Sequence, residues 1–98
     1  MDKKEAYEQK LQAQLDEWRA EIDQLKAKAN MAEAEKKIEY EQKIEELEAS
    51  QEKAREKLQE VQTSSSDAWE DIKDGANNAF ESLKTAMQKA KSRFSKNN

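Results

Sequence analysis

From Lys3 to Gln62 the chain runs sixty residues without a glycine or a proline, and that absence limits the fold more than any other feature. Those two residues supply most tight reversals, one through positive φ and the other through a fixed φ and a missing N–H. What fills the run is largely Ala, Glu, Lys, Gln and Leu, side chains that lose little rotamer freedom in a helix. Only 13 of the 98 residues are Leu, Ile, Val or Phe, too few for a broad core. Yet 18 basic side chains nearly balance 22 acidic ones, unlike the charge imbalance of a disordered chain. The expectation is an all-α protein with narrow apolar stripes, led by one long coiled-coil-type helix over residues 1–62.

Within that helix the apolar positions Leu11, Leu15, Trp18, Ile22, Leu25 and Ala29 alternate steps of four and three, the spacing of a coiled-coil seam. A second seam runs Tyr40, Ile44, Leu47, Gln51, Ala54, Leu58 and Val61. Eleven residues separate Ala29 from Tyr40, with Glu33 and Lys36 or Lys37 where the seam should pass, which amounts to a four-residue insertion that relaxes a left-handed supercoil. Glu33 with Lys37, Glu39 with Lys43, Asp16 with Arg19 and Asp23 with Lys26 are spaced as supporting pairs along one helix. An alternative is a break at Ala29-Asn30-Met31-Ala32, giving three segments of similar length and a three-helix bundle. Met31 and Ile38, seven apart and off the seam, argue for the second packed face such a bundle needs. Against it stands the lack of a residue suited to a tight left-handed reversal beyond Asn30.

Gln62 to Asp67 is the clear punctuation, a cluster of Thr, Ser and Asp whose side chains compete for backbone hydrogen bonds. A Ser-rich hinge is expected over 63–66 and a second amphipathic helix over 67–94, opened by an Asp67–Glu70 capping box, with 95–98 as a frayed tail. This segment repeats every eleven residues: SDAWEDIKDGA, NNAFESLKTAM, QKAKSRFSKNN. Trp69 matches Phe80, Ile72 matches Leu83 and Phe94, and Lys73 matches Lys84, so one face stays in register. Its apolar set, with Met87, spans roughly 140° of the helix. Acidic side chains centre the polar face and lysines line the apolar edge, a pattern that resembles the surface-lying repeats of exchangeable apolipoproteins. Trp69, Ile72, Lys73, Phe80, Leu83, Lys84, Met87 and Phe94 are therefore candidates for contact with an anionic lipid surface or another protein's helix. The competing reading packs this face on Tyr40 to Val61 of the same chain. Gly75, on the border of the face, marks a close approach or a bend.

Chemistry is little encouraged. There is no cysteine or histidine, hence no thiolate, disulfide or imidazole. No Gly-rich phosphate loop and no metal-ligand spacing appear, and general acid–base work needs a carboxyl in a pocket. No catalytic residue, metal, cofactor or small-molecule substrate is expected. Residues 1–65 hold 12 basic and 17 acidic side chains, and residues 82–98 hold five basic and none acidic. The acidic body would repel a nucleic acid drawn to the basic end, so no specific nucleic-acid site is expected. Neither a signal-peptide run nor a membrane span is present, which points to the cytoplasm, with a peripheral membrane position as the alternative.

Three segments, MDKKEAYEQKLQAQLDEWRAEIDQLKAKA, AREKLQE and DAWEDIKDGANNAFESLKTAMQKAKSRF, resemble a family of small coiled-coil stress-response proteins of cyanobacteria and other bacteria. The resemblance implies a soluble helical bacterial protein whose expression rises under stress, and it supplies no catalytic residue. The expected function is helix-mediated self-association or partner binding without catalysis, through Leu11, Leu15, Trp18, Ile22, Leu25, Tyr40, Ile44, Leu47, Leu58 and Val61. The alternative is reversible binding to a membrane surface through the C-terminal helix.

Overall fold

Asp2 starts the first helix. Its carboxylate accepts the backbone N–H of Glu5 at 2.7 Å, satisfying one of the donors a helix N-terminus leaves open. In the computed structural model, which describes residues 2–96, α1 spans Lys3–Asn30, α2 Ala34–Thr63 and α3 Trp69–Lys96. The all-α expectation holds. The single helix over 1–62 does not: it is cut at Met31–Glu33 into two helices of 28 and 30 residues.

The cut needs no left-handed residue. Met31 keeps nearly helical angles (φ −94°, ψ −5°), and the N–H groups of Met31 and Ala32 donate to the carbonyls of Lys28 and Ala29. These three-residue bonds tighten the last turn of α1. Glu33 is then extended (φ −64°, ψ 155°), and its carbonyl accepts the first bond of α2, from Lys37 N–H at 2.8 Å. The reversal falls inside the eleven residues where the seam is interrupted. There a continued helix would carry no large apolar side chain on the seam, whereas folding back lets each stripe cover the other.

The second reversal occupies Ser64–Ala68. Ser64 Oγ donates to Val61 O at 2.6 Å and Thr63 Oγ to Gln59 O at 3.0 Å, closing α2. Ser65 Oγ accepts Ala68 N–H at 3.1 Å while Ser65 O accepts Trp69 N–H, so Ser65, not Asp67, opens the path into α3. Of the serines in the expected hinge, Ser64 and Ser65 are engaged in capping bonds. Helix α3 starts two residues later than expected and continues through Lys96; of the tail expected at 95–98, Asn97 and Asn98 lie outside the described residues.

The helices run up, down and up. Lys4 Nζ at the start of α1 donates to the carbonyls of Gln62 and Ser64 at the end of α2, at 3.2 and 2.8 Å, so α1 and α2 are antiparallel. The core is one long strip shared by all three helices, and every buried residue among those described is apolar or aromatic. The particle measures 51 × 20 × 18 Å. Its accessible surface, 6651 Å², exceeds the roughly 5,800 Å² expected of a compact chain of this mass, as an elongated bundle should. Among the described residues no helix is long and apolar enough to cross a membrane.

Candidate functional site

The residues expected to associate between chains meet within one. Leu11, Leu15, Trp18, Ile22 and Leu25 of α1 and Tyr40, Ile44, Leu47, Leu58 and Val61 of α2 are all buried in the shared strip. Their spacings match. Descending from Ala29, the buried positions of α1 take steps of four, three, four, three and four to Leu11. Ascending from Tyr40, α2 takes the same steps through Ile44, Leu47, half-buried Gln51, Ala54 and Leu58. The antiparallel sense thus registers Ala29 with Tyr40, Ile22 with Leu47 and Leu11 with Leu58. In this matching Tyr40 falls opposite Ala29 and Leu15 opposite Ala54, each a large side chain against a small one.

The apolar face of α3 closes the strip. Trp69, Phe80, Leu83, Met87 and Phe94 are buried, Ile72 is half-buried, and Lys73 and Lys84 are exposed at the edge. Three aromatic pairs key α3 to its neighbours: Tyr7 with Trp69 at 5.6 Å, Trp18 with Phe80 at 5.9 Å, and Tyr40 stacked on Phe94 at 4.0 Å. The first two place α3 parallel to α1, with the eleven-residue spacing from Tyr7 to Trp18 repeated from Trp69 to Phe80. Lys73 Nζ lies 5.6 Å from the ring centroids of both Tyr7 and Trp69, within cation–π reach. Lys91 and Arg93 pair with Glu21 of α1 and Glu39 of α2. Lys26 pairs with Glu48 of α2 at 3.0 Å. Glu39 and Lys26, expected in pairs along their own helices, thus bridge helices, and Lys43 turns to Glu46. Such exposed pairs each contribute about 0–1 kcal/mol and weaken with salt.

Tyr7 is the principal residue that sequence reading missed. Its hydroxyl donates to Asn77 Oδ1 at 2.5 Å. Burial, and secondarily the nearby Asp74 carboxylate, raise the phenol above its ordinary value. The signal was available: Tyr7 lies one step of four before Leu11 and eleven residues before Trp18. Met31 and Ile38 correct an expectation in the other direction. They are 88 % and 62 % exposed, the only exposed large hydrophobics among the described residues, so the second packed face is not theirs. Gly75 permits no close approach either, since a methyl group there would meet only Lys57 Nζ, at 3.9 Å.

What the surface offers is shallow. A groove between α2 and α3 is open to solvent and lined by residues that include Lys43, Glu46, Leu47, Asn78, Glu81 and Lys89. Among the described residues no three carboxylates gather as a metal site would require. No family model, curated protein or solved structure matches the chain.

Proposed function

We propose that the chain is a non-enzymatic helical protein of the bacterial cytoplasm that acts by self-association, in the stress setting its resemblance implies. The observation that carries this reading is the identity of spacing between the α1 and α2 seams. Two stripes that fit one another antiparallel within a chain fit equally between chains, in the manner of a coiled coil, with the same apolar groups removed from water. Sedimentation equilibrium tests it. The expected result is a mass that rises with concentration beyond the 11.4 kDa of one chain; a single-chain mass at every concentration counts against it.

A second reading is favoured by α3, the most strongly amphipathic of the three helices. Its broad apolar face carries Lys73 and Lys84 exposed along one edge. Swinging out on the Ser64–Ala68 link, it would lie on an anionic membrane with its lysines reaching headgroups. A Trp18→Phe variant leaves Trp69 as the sole indole. Titration with anionic vesicles should then shift its emission, and the shift should weaken with salt; emission unmoved by lipid would remove this reading.

A further inference from the structure

The three residues between α1 and α2 are little committed to turning the chain. No residue there has positive φ, and the Glu33 side chain makes no capping bond. Resting on the self-association reading above, we infer that the partner is a second copy of this chain and that the two copies exchange α1. Met31–Glu33 becomes helical, α1 and α2 of each copy join into one helix of about 90 Å, and each α1 packs on α2 and α3 of the other copy. Every apolar layer of the bundle is retained, now between chains. Closed monomer and exchanged dimer differ only at the junction and in the entropy of association.

Helical phase supports the exchange. Ala29 and Tyr40 are eleven residues apart, which at about 100° per residue is three turns and about 20°. In a continuous helix both seams therefore face the same side, as two long antiparallel helices lying together require. The junction itself is complementary. One step of four beyond Ala29 falls on Glu33, and one step of four before Tyr40 falls on Lys36. Within one chain these two lie three residues apart on the same side of the turn, one opening α2 and the other in its first turn, so neither faces the other across the antiparallel seam. Across a two-fold axis they continue the ladder as two central layers, Glu33 of each copy against Lys36 of the other. The charged residues that interrupt the seam thus become the contact that favours antiparallel pairing of two copies. Met31 and Ile38 lie about 180 to 200° from Ala29 on the same continuous helix, so they stay outside in either form.

The test is charge exchange. Glu33→Lys and Lys36→Glu each set like charges against one another in both central layers and should weaken the dimer at least about tenfold. The double variant restores both pairs and should associate like the parent. Mixed together, the two single variants should form a heterodimer well above the statistical half, because each supplies the charge the other needs. A second readout uses the absence of cysteine: in a Lys26→Cys, Glu48→Cys variant, a short bismaleimide spans a pair that is ion-paired at 3.0 Å. Isolated dimer should yield covalently linked dimers on a denaturing gel. Linked single chains from that fraction would overturn the exchange while leaving self-association standing. Association indifferent to every charge combination would overturn the Glu33–Lys36 contact. A protein that stays monomeric even after refolding at high concentration, with its helical dichroism intact, would overturn both.

Discussion

After α2 the chain turns on side chains: Thr63, Ser64 and Ser65 each place a hydroxyl on a helix-end group, and Lys4 lays its ammonium on the carbonyls of Gln62 and Ser64. After α1 it turns on backbone bonds from Met31 and Ala32 and on one extended glutamate. The difference teaches where each stop is written. The Ser64–Ala68 turn is encoded locally, in residues that satisfy orphan groups at helix ends and favour a break wherever they occur. The Met31–Glu33 turn is encoded at a distance, by two stripes that need each other, and the proposed exchange would meet the same need with the stripe of a second chain.

Five substitutions would break or sharpen that contrast. Phe94→Ala removes a fully buried ring stacked on Tyr40 beside the weaker turn and should cost about 3–5 kcal/mol in urea unfolding. If both turns serve one core, it should lower stability without changing the ratio of dimer to monomer. Ser65→Ala deletes a cap and should cost about 1 kcal/mol, while Glu33→Ala, at the equivalent position of α2, should change stability by no more than about 0.5 kcal/mol; equal losses would erase the contrast. Tyr7→Phe cuts the tie from α1 to Asn77 near the side-chain turn, a loss of about 1 kcal/mol. Because burial and Asp74 raise the Tyr7 phenol, its protonated form is the one the bundle favours. The hydroxyl's contribution is therefore full below the ordinary phenol value of about 10 and lost as pH rises through and above it. Denaturation curves of parent and variant should converge in that alkaline range. Gly75→Ala should gain about 0.5–1 kcal/mol in α3, read as a raised urea midpoint, since the new methyl meets only Lys57 Nζ at 3.9 Å.

Much of the fold was legible because it follows from spacing. The expected seam residues of α1 and α2 are in the core, as are five of the apolar residues assigned to the third helix, with Ile72 at its margin. Ser64 and Ser65 announced a turn through their chemistry. The first turn was legible only as the alternative break at Ala29-Asn30-Met31-Ala32, because the chain reverses there without glycine, proline or a left-handed asparagine. The interrupted seam from Ala29 to Tyr40 reads equally as a local relaxation of supercoil or as the place where each stripe ends and can face the other. Which surface a seam covers is likewise invisible in one chain, since a stripe complementary to itself reads the same whether its cover lies in the same molecule or in the next.

The aromatic pairs along α1 and α3 act as a vernier. Aliphatic stripes of threes and fours tolerate a slip of seven residues with little penalty, so Leu and Ile alone would let two parallel helices settle at more than one height. Tyr7 and Trp18 are spaced by eleven, and Trp69 and Phe80 by the same interval, which is not a multiple of seven. Slide α3 by one heptad and Trp18 meets Met87 or Lys73 in place of Phe80, while Tyr7 loses both Trp69 and its hydrogen-bond partner. Four rings thus set the height of one helix against another, a choice that the rest of the stripe leaves open.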